Sequence, residues 1–132
     1  MIRLQKDTAG TYRQRISVDA HEIFSDVDTA LGGENSAPDP HGLLDSSLAA
    51  CTAITLTMFA KRRGIPLDSI NVDVGRDSSK EKQGEYNLSM NIQFVGSLSE
   101  EQKQQLLAIV EKCPIHKLLS HATININTHH HL

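Results

Sequence analysis

The run from Asp39 to Gly64, DPHGLLDSSLAACTAITLTMFAKRRG, constrains this chain more than any other stretch, because it reads as one long helix. Asp39 offers a side-chain oxygen to the first free N–H groups, and Pro40 suits the first helical position, where its missing N–H is not needed. Gly64, followed by Ile65 and Pro66, supplies the stop. Such a helix has about 24 residues and a length of roughly 36 Å. From Ser46 to Ala60 it carries no charge. Apolar or small residues point in every direction instead of along one stripe, the pattern of a helix surrounded by protein. The uncharged run falls short of the ~20 residues that span a bilayer and includes Ser46, Ser47, Thr52, Thr55 and Thr57, so a core helix is expected and no transmembrane segment.

A chain of 132 residues is expected to form a single domain, residues 1–132, with a modest core. A helix apolar on all sides needs more cover than so short a chain provides, which predicts a homodimer. The net charge of −3 gives no general attraction to nucleic acid or to an anionic membrane, and neither is expected as a partner. The opening residues MIRLQKDTAG lack the apolar segment of a secretory signal, so a cytoplasmic location is expected. In that reducing compartment two cysteines are not a permanent staple, which leaves a thiol role or plain burial. His129, His130 and His131 read as a tail at the chain end.

Before the helix, residues 2–7 and 11–18 alternate as strands about an Ala9-Gly10 turn, and a third strand is expected at 21–25. Tyr12, Gln14, Ile16 and Val18 share one face; Arg13 and Arg15 lie on the other, as a solvated surface or as cations aimed at a site. Residues 31–40, LGGENSAPDP, form a loop, and Gly32-Gly33 has no phosphate-cradling pattern after it. After Gly64, residues 69–76 and 85–95 alternate as a hairpin with Ile70, Val72, Val74, Tyr86, Leu88, Met90, Ile92 and Phe94 inward. Ser99 and Gln102 form a capping box for a helix that sets Leu106, Leu107, Val110 and Cys113 on one face until Pro114 interrupts it. A short helix is expected at 114–120, and a last strand at Ala122–Asn127, ATININ. The order βββ-α-ββ-αα-β has no βαβ alternation, which predicts an α+β fold with antiparallel sheets.

The chemistry rests on two thiols. Cys51 lies in an apolar helix, where a raised pKa is expected unless a cation such as Arg13 or Arg15 reaches it. Cys113 precedes Pro114 at a helix start, which favours a thiolate. The two can form a redox pair only if the fold brings their Cα atoms within about 7 Å. His41 and Asp45 share one face of the first turns of the long helix, either as polar decoration or as hydrogen-bonding groups facing a site. Cys113 and His116 lack a second ligand pair at metal spacing, so no metal or cofactor is expected. Neither a GxSxG elbow nor an HExxH pair occurs.

The run GGENSAPDPHGLLDSSLAACTAITLTMFAKRRGIPL, the later LSEEQKQQLLAIVEKCPIHKLLS and the closing ATINI together resemble the OsmC/Ohr family of small thiol peroxidases, in the family's order and over essentially the whole chain. The resemblance implies an OsmC-like fold, with antiparallel sheets wrapping a long central helix in an intertwined homodimer. It implies that Cys51 is the peroxidatic thiolate and Cys113 the resolving thiol, the pair reducing organic hydroperoxides in a stress response. A dithiol reductant, a lipoyl protein or a thioredoxin-like one, would reset them. Family sites pair the thiolate with an arginine from an early strand, here Arg13 or Arg15, and with a glutamate just after the helix-opening proline. This chain has His41 at that place. The alternative is a non-catalytic OsmC-like module that binds a hydrophobic small molecule at the dimer interface.

Overall fold

A computed structural model describes residues 1–131. They form two compact units, one of residues Met1–Ser46 and one from Ser47 onward. The first holds a three-stranded antiparallel sheet in the order β1 (Ile2–Lys6), β2 (Gln14–Val18) and β3 (His21–Ser25). Ile2 pairs with Val18 and Lys6 with Gln14, while Gln14 faces Ser25 and Val18 faces His21 across the next ladder. The loop beyond it is tied by Asp26. This carboxylate is 3% exposed and accepts hydrogen bonds from the Val27 and Ser36 N–H groups and the Ser36 hydroxyl. Ser36 comes first among the groups that hold the Asp26 pKa down at about 2.

Helix α1 spans Pro40–Arg63, as its capping chemistry predicts. Asp39 Oδ1 accepts from the Gly42 N–H at 2.7 Å, and Gly64 ends the helix in the left-handed conformation at φ 65°, which costs a glycine little. Lys61, Arg62 and Arg63 occupy the last turn, beside the negative end of the helix dipole. Burial is concentrated on one row, Leu48, Thr52, Leu56 and Ala60, each four residues from the next. Ile54 and Met58 are 59% and 53% exposed, so within a single chain the helix is covered along one side, not all round. By length and composition α1 could also cross a membrane. Thr52, Leu56 and Ala60 on it are 2% exposed or less.

The second unit continues with the antiparallel hairpin β4 (Ser69–Asp77) and β5 (Asn87–Val95), in register from Ser69 against Val95 to Asp77 against Asn87. Their alternation is the expected one, with Ile70, Val72, Val74, Met90, Ile92 and Phe94 on the more buried face. Helix α2 (Glu100–Leu107) opens on the capping box in which Ser99 and Gln102 each accept the other's N–H. It is shorter than its apolar face suggested: after Leu107 the chain tightens into a 3-10 turn at Val110–Lys112, and Leu107 is 47% exposed while Leu106 is fully buried. Leu56, Ala60, Ile65 and Leu106 make the core of this unit.

Helix α3 (Pro114–His121) follows Cys113 as expected. The last strand is not formed among the described residues. Residues 122–131 have no regular structure, and Ile124 and Ile126 are 62% and 83% exposed. An alternating segment becomes a strand only when an edge supplies its hydrogen-bond partners, and none pairs with it here. The architecture is α+β, with small antiparallel sheets and one long helix.

Candidate active site

Cys51 lies midway along α1 and Cys113 immediately before α3, and the fold of the second unit brings the two thiols close enough for each to shift the other's ionisation. Both are free thiols. The start of α3 organises them. Cys113 is its N-cap, and its sulfur accepts the His116 N–H at 3.3 Å. The Ile115 N–H also favours the ionised form of Cys51. Thr55, one turn along α1, sets its hydroxyl 3.9 Å from the Cys51 sulfur.

These contacts reverse the expected order of the two thiols. Burial is the largest single influence on Cys51 and pushes its pKa up, but hydrogen bonds from the Cys113 thiol, the Ile115 N–H and Thr55 together bring it below the ordinary thiol value. Cys113 is fully buried. Burial first, then its hydrogen bond with Cys51, raises its pKa, and the N–H groups of His116 and Ile115 offset this only in part. The helix start that was expected to ionise Cys113 thus goes with a lowered pKa at Cys51 and a raised one at Cys113.

A cavity of about 500 Å³ is lined by Met90, Ile92, Leu107, Ala108, Val110, Glu111 and His116, and by neither cysteine. His116, one of its lining residues, donates its backbone N–H to the Cys113 sulfur. The fully buried Thr52 hydroxyl donates to the Met90 sulfur at 3.6 Å and fixes that wall. Thr55 was within reach of the sequence, since residues four apart share a helix face. The Ile115 and His116 amides were not, because backbone groups leave no mark in residue identity.

Arg13, Arg15 and His41 belong to the first unit. Arg13 sits just before β2, its Nε donating to Asp7 Oδ2 at 2.7 Å and its Nη1 to the Ser36 carbonyl and hydroxyl oxygens. Its guanidinium lies 4.1 Å from the Phe24 ring centroid. The same ion pair holds the Asp7 carboxyl below its ordinary pKa. Arg13 is therefore not a solvated surface cation. Arg15, within β2 opposite Phe24, has a buried Nε without a hydrogen-bond partner. His41 stands in the first turn of α1. Among the described residues no three His, Cys, Asp or Glu side chains gather in a way that could hold a metal.

Comparison with solved structures finds the same fold repeatedly. An OsmC-like protein from Mycoplasma pneumoniae superposes with a TM-score of 0.72 at 21% identity, over 96% of this chain and 93% of that one. The organic hydroperoxide resistance protein OhrB of Bacillus subtilis gives 0.60 at 21% identity, over 92% and 90%. An organic hydroperoxide resistance protein from Legionella pneumophila gives 0.63 at 20% identity, over 92% and 90%. No curated protein matches in sequence. The family model for OsmC-like proteins matches residues 33–129, which takes in α1, both cysteines and the hairpin between them: the chain belongs to the OsmC-like protein family.

Proposed function

We propose that this protein is a thiol-dependent peroxidase that reduces organic hydroperoxides through Cys51 and Cys113. The observation that carries the reading is the proximity of two cysteines far apart in sequence: Cys51 has a lowered pKa, and Cys113 at the start of α3 is near enough to contribute to it. In the first step the Cys51 thiolate attacks the outer oxygen of the hydroperoxide, the O–O bond breaks, and the leaving alkoxide takes a proton to become an alcohol. Cys51 is left as a sulfenic acid. The Cys113 thiol then displaces water from it, giving the Cys51–Cys113 disulfide, which two thiols of a dithiol reductant, of the lipoyl or thioredoxin-like kind, return to the starting state. The apolar residues of the cavity, Met90, Ile92, Leu107 and Val110, would suit an alkyl substituent.

In this reading Arg13 or Arg15 supplies a cation to the reacting sulfur and oxygen, and His41 takes the place of the family glutamate. The working form is a cytoplasmic homodimer. Among the described residues only Leu48, Leu56, Ala60, Ile65, Leu106 and Cys113 form the buried apolar set, while Ile2, Leu4, Ile54, Met58, Ile124 and Ile126 are all more than half exposed, surface a second copy would cover. Oxidation of a dithiol by an organic hydroperoxide, measured with the wild type and with Cys51→Ser, tests the activity. Turnover lost in the variant is expected; equal rates would leave a non-catalytic module that binds a hydrophobic molecule in the cavity.

A further inference from the structure

We propose that the reductant attacks the oxidised protein at Cys51, so that the mixed disulfide forms on Cys51 and Cys113 is the thiolate released. The inference rests on the proposed disulfide cycle and adds to it the sulfur through which the partner enters. Exchange requires a thiolate to approach a sulfur in line with the S–S bond, so access to that sulfur comes before any electronic preference. Within one chain the two sulfurs differ sharply in access: Cys113 is 0% exposed as the cap of α3, whereas Cys51 is partly exposed.

Leaving-group chemistry pulls the other way. The better leaving thiolate is the one of lower pKa, which is Cys51, and this favours attack at Cys113. That preference grades a rate, whereas zero exposure denies the approach until α3 moves. Access therefore decides. The site also receives the displaced group: the His116 N–H that already points at the Cys113 sulfur would hold the departing negative charge. The balance is simple. A reductant thiolate forms a bond to the Cys51 sulfur, the Cys51–Cys113 bond breaks, and Cys113 leaves with the electron pair. The second thiol of the reductant then closes on the first and frees Cys51.

The test uses the wild-type chain, oxidised with diamide so that disulfide formation does not depend on peroxide activity. A limiting monothiol, 2-mercaptoethanol, is added, the reaction is quenched with acid within its first few per cent, free thiols are alkylated and the peptides are weighed. The adduct is expected on Cys51 with Cys113 alkylated, in roughly tenfold excess over the reverse, and this excess should shrink when the disulfide is presented in urea, where access no longer differs. An adduct mainly on Cys113, or equal labelling in the folded protein, overturns the inference even if peroxide turnover is intact. Failure of diamide to link the two cysteines removes the disulfide cycle and the inference with it.

Discussion

Cys51 and Cys113 shift each other's ionisation, with the Cys51 pKa lowered and that of Cys113 raised, burial being the largest single influence on each. Cys51 should react with iodoacetamide at a lower pH than Cys113, as read by peptide mass spectrometry across a pH series. Thr55→Val removes one donor and should shift Cys51 labelling to higher pH, whereas an unshifted profile would show that Thr55 does not reach the thiolate. Asp26 belongs to the same scale. Its pKa is lowered from 3.8 to about 2, so the stability it contributes is present above the unfolded value and lost as pH falls through that window. The stability difference between wild type and Asp26→Asn should be constant near neutrality and shrink as acid unfolding is followed from about pH 4 to about pH 2. Both cysteines were legible as candidates from AACTAIT and KCPIHKLLS, and Pro114 marked the helix start. Their order of acidity was not, because it depends on burial and on the neighbours that the fold sets around each sulfur.

At the scale of elements, α1 was legible to the residue: its cap, its first-turn proline and its terminal glycine are all local chemistry. Its covering was harder to read, since composition shows that every side is apolar but not which side this chain can cover. The row Leu48, Thr52, Leu56 and Ala60 is the covered one. Leu56→Ala should cost about 2–5 kcal/mol in a urea titration, as large-to-small changes at fully buried sites do. Ile54→Ala, on the exposed side, should cost far less within a single chain, so a comparable loss would mean that a second chain buries that side. The segment ATININ shows the same limit from the other direction. Its alternation is strand chemistry, but pairing needs an edge, and an edge is not a property of the segment.

For the molecule as a whole, the proposed dimer makes stability depend on concentration. The thermal midpoint should rise as protein concentration is raised, and a fixed midpoint with a monomeric mass would remove the dimer from the account. The α+β class and its antiparallel sheets followed from element order, while the meeting of two cysteines far apart in sequence did not. That meeting is what the peroxidase reading depends on, and intact mass after one equivalent of an organic hydroperoxide tests it most directly. The wild type should lose two hydrogens through a Cys51–Cys113 link, and Cys113→Ser should instead gain oxygen at Cys51, as sulfenic or higher acids. A Cys51 that stays reduced in both proteins would contradict the account.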